Sequence, residues 1–196
     1  MELDKAIEER HSVRLFKSKK ISYEKIIEAV DAALKAPKAG NIPSVKFIIV
    51  SDKEKIFKLA GASQQKFISQ AQFVVAICSD LKQLTRSYEE RGLVYARQQA
   101  GAAAENFLLK ITELGLASCW VGAFSEETVK RILEIHSDEE IQPEVLLPVG
   151  YEFRKTKKRK NPNPDTNIYF NKYKNKYLTP LAGPKEEVFS REQKEK

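Results

Sequence analysis

The chain has 196 residues and 22.3 kDa, with 42% hydrophobic and 31% charged side chains, a composition that supports one buried core and excludes a disordered tail or a disulfide-stapled miniprotein. No apolar run reaches the ~18 residues of a membrane helix, the start MELDKAIEERHS lacks a signal-peptide core, and Cys78, Cys119, His11 and His136 lack zinc-site spacing; the chain reads as soluble and cytoplasmic. Its +7 charge is segregated, with 21 basic and 21 acidic residues in 1–150 against 13 and 6 in 151–196. Such a tail is a solvated face, a nucleic-acid contact or a partner for a specific anion such as a phosphate.

Leu3 and Ile7 in LDKAIEER predict a short first helix. A second starts after Ser22, an N-cap residue, runs through Ile26, Ile27, Val30, Ala33 and Leu34, and stops near Pro37 and Gly40. KFIIVS (46–51) reads as a buried strand, DKEKIFKLAG as a small helix, and FVVAICS (73–79) as a second buried strand. The longest helix is expected from Leu93 to Leu114, with an alanine-rich stripe and Gly115 to end it. ASCWVGAF (117–124) follows as a strand ending in a glycine turn, then a helix capped by Ser125 and a strand at 144–149 closed by Gly150. Interleaved strands and helices argue an α/β or α+β sandwich. Beyond Tyr151 the chain turns basic and turn-rich, then places Tyr169, Phe170, Tyr173 and Tyr177 among lysines, which calls for a packing surface on its own unit or on a partner.

Three segments carry candidate chemistry. Arg10, Ser12 and Arg14 in RHSVR set two guanidiniums and a hydroxyl within five residues, a pattern that suits one phosphate or merely decorates a helix C-terminus with cations. APKAGN (36–41) is a small-residue loop that lets backbone approach a flat ligand, or a plain turn. TKKRK (156–160) is a second cationic knot.

RHSVRLF, APKAGN, the alanine-rich helix ending in ELGLASCWVGAF, EVLLPVGYE and the KKR knot stand in the order and spacing of the nitroreductase family of FMN-dependent flavoproteins, which the chain resembles over about residues 2–177. The resemblance implies an α+β, nitroreductase-like fold: a mainly antiparallel sheet flanked by helices in an intertwined homodimer, with FMN at the dimer interface. Residues 1–152 would form the FMN-binding core, and 153–196 an extension packing on that core or on the partner subunit. It further implies NADH or NADPH as hydride donor, ping-pong transfer through flavin N5, and a nitro compound, quinone or similar small molecule as acceptor.

Carried over by position, the resemblance assigns the FMN phosphate and ribityl chain to Arg10, Ser12 and Arg14, with His11 contributing mainly backbone, and completes the phosphate site with Lys157 and Arg159. Pro37, Lys38, Ala39 and Asn41 would lie beside the isoalloxazine, Lys38 as a positive charge near N1 and O2. The backbone of Val121, Gly122 and Ala123 would face N5 and O4, Gly122 closest to N5. Gln64 or Gln65, and Gln98 or Gln99, would reach the ring or ribityl.

Three departures bear on the substrate pocket. Relatives commonly continue Asn-x-Gln-Pro-Trp after the second helix, whereas this chain has Asn41, Ile42, Pro43, Ser44 and Val45; Lys38 replaces a frequent serine; and Gln99 stands where many relatives have aspartate. A flavoenzyme of the same fold with other chemistry, such as reductive dehalogenation, flavin fragmentation or small-metabolite dehydrogenation, is one alternative. A basic nucleic-acid-binding module is another.

Overall fold

The computed structural model describes residues 2–155, 162–178 and 186–187. The elements of the first unit, Met1–Thr156, run in the order α1 (Leu3–Glu9), β1 (Phe16–Lys17), α2 (Tyr23–Leu34), β2 (Val45–Val50), α3 (Lys53–Ala62), β3 (Phe73–Asp80), α4 (Lys82–Tyr88), α5 (Glu90–Glu113), β4 (Ala117–Ser118), α6 (Glu126–Ile132) and β5 (Ile141–Glu152). The strands form one sheet of order β1-β5-β3-β2, with β4 also on β5, and every pairing is antiparallel.

β3 is buried through seven consecutive residues because both of its faces are covered. Successive side chains of a strand point to opposite faces, so Phe73, Val75 and Ile77 join a cluster with α2 and α5, while Val74, Ala76 and Cys78 join one with α3 and α6. Ala100, Ala103 and Ala104 bring α5 close against the first face. Gly115, at φ 71°, turns the chain after α5 in the left-handed conformation that suits glycine. This is the expected nitroreductase-like α+β architecture, a mainly antiparallel sheet between helices.

The differences from the sequence reading have local causes. Among the described residues β2 is an edge strand paired with β3, and before Val50 it is half-buried rather than buried, with Lys46 exposed. The expected strand at 117–124 shortens to Ala117–Ser118 plus a single bridge from Val121 to Leu146, because the chain leaves the sheet edge at Cys119 and Trp120. α4 and β1 were not expected: one lacks a long apolar stripe, and the other is only two residues long. On α1 and α2, Leu3, Ile7, Ile27 and Leu34 are 64%, 54%, 44% and 47% exposed, so part of each apolar stripe is left uncovered by the described residues.

In the second unit, Lys157–Lys196, α7 (Pro164–Asn167) is capped by the Asn163 side chain, and β6 (Tyr177–Leu178) pairs with β7 (Glu186–Glu187). Its aromatic residues meet one another: the rings of Tyr169 and Tyr173 pack edge to face 4.9 Å apart, and the Lys176 ammonium lies 4.0 Å from the Tyr169 centroid.

Glu144 gives the fold a pH dependence. One of its carboxylate oxygens is buried without a hydrogen-bond partner among the described residues. Burial holds the carboxyl above the ordinary carboxylate range, against the opposing pull of a Ser79 hydrogen bond and the Arg97 charge. The folded chain therefore keeps this proton to higher pH than the unfolded chain, and its contribution to stability falls as pH rises from the ordinary carboxylate value to the raised one. Glu144→Gln should flatten that part of the profile in chemical denaturation between mildly acid and neutral buffer. A slope equal to that of the parent would contradict the assignment.

Candidate functional site

The outer edge of β5 gathers two segments more than a hundred residues apart in sequence. Val121 exchanges both backbone bonds with Leu146, at 3.1 and 2.9 Å. Ala117 and Ser118 pair with Gly150 and Val149. Ser118 is in turn bridged in parallel by Ser12, and its carbonyl accepts from Val13 N–H at 2.9 Å. Farther along, Phe16 and Lys17 pair with Glu152 and Tyr151, and Phe153 N–H donates to the Leu15 carbonyl at 3.0 Å. Gly150 permits this closure, since a Cβ there would stand 2.6 Å from the Phe16 ring. RHSVR and SCWVGAF are thus laid side by side.

The RHSVR segment is attached on alternate residues. Val13 is buried at 3% exposure, whereas Ser12 and Arg14 are exposed. Arg10, extended past the end of α1, has its Nε 3.4 Å from a Glu105 carboxylate oxygen on α5, a contact that does not use the two Nη atoms of the guanidinium fork. The two-residue period of an extended chain therefore places Arg10, Ser12 and Arg14 on one side, where the guanidiniums and hydroxyl suit a phosphate ester. His11 lies on the other side, and its ring is engaged: Nδ1 stands 2.7 Å from the Glu9 carbonyl and Nε2 3.0 Å from Glu152 Oε1.

Cys119 links the segments electrostatically. Burial pushes its thiol up, while the Arg14 charge and a Ser12 hydrogen bond pull it down, leaving it raised; it is a packed thiol, not a poised nucleophile. The Ser118 hydroxyl beside it is buried and has no hydrogen-bond partner among the described residues. Gly122 and Ala123 are exposed. Because Val121 spends both backbone groups on Leu146, a donor to a ligand at this turn has to come from Gly122 or Ala123.

The second cluster is the loop after α2. Pro37 and Asn41 are exposed, and Lys38 and Ala39 half-buried. Gly40 and Asn41 both adopt left-handed backbone, φ 55° and 56°, and Tyr88 packs so closely on Gly40 that a Cβ would meet its hydroxyl at 2.4 Å. The Lys38 ammonium donates to the carbonyls of Leu34 at 2.8 Å and Ala36 at 3.4 Å, neutralising the C-terminal end of α2; a charge at a flavin edge would require it to leave both.

Gln99 holds this loop from beneath. It is 4% exposed, and its amide donates to Ser44 Oγ and the Ile42 carbonyl, each at 3.1 Å, and accepts from Ala39 N–H at 3.3 Å. Ser44, one of the residues departing from the family pattern, is itself buried at 2% exposure. The signal was present in the sequence: Gln99 is the one polar residue among Ala96, Ala100 and Ala103 on the buried stripe of α5, and a polar group there needs partners. Gln98 is exposed on α5. Gln65 precedes a short 3-10 turn at Lys66–Gln70. Gln64 lines a cleft of about 700 Å³ between α3 and α6, where Ser125 N–H donates to the Ala62 carbonyl at 2.9 Å. Lys157 and Arg159 lie outside the described residues.

Ser118 and the start of β2 stand opposite the two ends of β3, with Val121, through Leu146, opposite Ala76 between them. Ser118 adjoins Val149, which pairs with Phe73 at one end of β3, whereas Val45, directly after the loop, pairs with Ser79 at the other. Six residues of strand separate Phe73 from Ser79, about 20 Å at ~3.3 Å per residue.

Comparison with known proteins agrees with this architecture. The sequence model described as the Nitroreductase family matches residues 7–66 and 59–151. A protein of Archaeoglobus fulgidus, provisionally named an NADH dehydrogenase/NAD(P)H nitroreductase, is 33% identical over 133 residues, covering 67% of this chain and 74% of that one. An FMN reductase (NADPH) of Bacillus subtilis is 24% identical over 153 residues, covering 71% and 61%. The crystal structure of a Clostridium acetobutylicum protein, provisionally named an NADH oxidase, aligns with a TM-score of 0.74 at 31% identity over 86% of this chain and 99% of that one.

Replacing Gln99 with leucine should strand the loop groups that its amide satisfies and cost about 1–3 kcal/mol in denaturant unfolding. Unchanged stability would show that the loop does not depend on it.

Proposed function

The chain belongs to the nitroreductase family, and on that premise we propose that it is an FMN-dependent oxidoreductase that takes hydride from NADH or NADPH and passes it to a small-molecule acceptor such as a nitro compound or quinone. The observation that carries this reading is the alternation along residues 10–14 beside the exposed Gly122–Ala123 turn. Two guanidiniums and a hydroxyl on one side of an extended segment match the oxygens of a phosphate ester, and the orphan hydroxyl of Ser118 adds an unsatisfied polar atom on the adjoining strand. The names of the Bacillus subtilis and Archaeoglobus fulgidus relatives support flavin and nicotinamide as the redox partners.

FMN, when bound, supplies the redox chemistry at N5, alternating between donor and acceptor. The protein binds and orients. Arg10, Ser12 and Arg14 would hold the phosphate and ribityl chain, and Gly122 N–H would be the donor offered to the N5 edge. No side-chain nucleophile or general base is needed in this scheme.

The roughly 20 Å of strand between the register positions of Ser118 and Val45 supports a homodimer in which Pro37, Lys38, Ala39 and Asn41 of one copy flank the flavin held by the other. The exposed Leu3, Ile7, Ile27 and Leu34 supply apolar surface for a helical interface.

Purified chain mixed with FMN should quench its fluorescence, and NADH or NADPH should bleach the bound flavin under anaerobic conditions. Arg14→Ala should weaken FMN roughly tenfold to a hundredfold, the loss of a charge-assisted contact worth ~1.5–3 kcal/mol, with little change in thermal stability because Arg14 is exposed. Parent-like FMN affinity in that variant would remove Arg14 from the site.

A further inference from the structure

We propose that His11 is a positioning residue: through its contact with Glu152 it fixes the course of the RHSVR segment, so that Arg10 and Arg14 present their guanidiniums to the flavin phosphate. The inference rests on the phosphate site proposed above and assigns a role to the His11 side chain, which acts there through Glu152. Two acceptors face the His11 ring, the Glu9 carbonyl 2.7 Å from Nδ1 and the Glu152 carboxylate 3.0 Å from Nε2. The contact is partly shielded, with side-chain exposures of 30% for His11 and 20% for Glu152.

Its place in the segment gives the contact its consequence. Residues 11 and 13 are the anchored positions at the start of the extended chain, and Leu15, its side chain exposed, is held through its backbone. Val13 is held by burial and by its bond to Ser118, and Leu15 by its carbonyl to Phe153 N–H. At position 11 the side chain performs that task, and it reaches the last residue of β5, whose backbone already pairs with Phe16. Glu152 therefore grips the segment twice, once by backbone near its end and once by side chain near its start. Without the second grip, the stretch between the end of α1 and Val13 loses this side-chain tie to β5, and Arg10, whose Nε already lies 3.4 Å from a Glu105 oxygen on α5, is no longer held in register with Arg14. The segment would still carry its charges, but they would no longer converge.

The test compares FMN with riboflavin, which lacks the phosphate. Dissociation constants for both are measured by flavin fluorescence quenching on the parent, His11→Ala, Glu152→Leu and the double variant, with His11→Gln as a variant that restores a donor toward Glu152. The expected result is a parent that prefers FMN, a preference reduced about tenfold in either single variant, the worth of one charge-assisted hydrogen bond, no further loss in the double variant, partial recovery in His11→Gln, and riboflavin affinity unchanged throughout. Retained preference in both single variants overturns the inference and leaves the phosphate site standing. Equal weakening of FMN and riboflavin also overturns it, since the pair would then only support the fold. A parent that does not distinguish the two flavins overturns the phosphate site itself, and the inference with it.

Discussion

The outer edge of β5 is where the candidate site is made. A strand edge offers unpaired N–H and C=O groups that must be satisfied or exposed, and here they are taken up in order by Val121, β4 and β1. The short β4 then offers its own free edge to Ser12 and Val13. Two cationic side chains and a glycine turn, remote in sequence, become neighbours because backbone hydrogen bonding leaves them few other places to lie. The glycine at position 150 and the buried Val13 reinforce that placement by packing.

A second constraint acts at the loop after α2, beyond the other end of β3. The loop after α2 has two consecutive left-handed residues, and such a conformation persists only where its surroundings hold it. Gln99 supplies the buried polar partners from below and Tyr88 the packing from above. The residues that depart from the family pattern are thus accounted for in part by this arrangement, since Ser44 and Gln99 belong to one hydrogen-bonded group.

Much of this was legible in the sequence, and what was not has physical reasons. The long runs were clear: β3 is apolar on both faces, and α5 carries its alanine stripe for many turns. The alternation of RHSVR was visible as a pattern, but its neighbour was not, because a two-residue strand such as β4 has too little periodicity to announce a partner. For His11 the sequence suggested a backbone role; its side-chain contact with Glu152 depends on a separation of 141 residues that no local pattern encodes. Lys38 invited an assignment to the cofactor by position, and its ammonium donates to the Leu34 and Ala36 carbonyls at the end of its own helix.

The central claim is that one flavin is shared between the cationic segment of one copy and the loop of another. Sedimentation velocity followed at the flavin absorbance band, over a dilution series, tests it directly. The account predicts that bound FMN travels with a species of twice the 22.3 kDa chain mass and is released as dilution dissociates that species. FMN travelling with the single chain, at undiminished affinity, would contradict it.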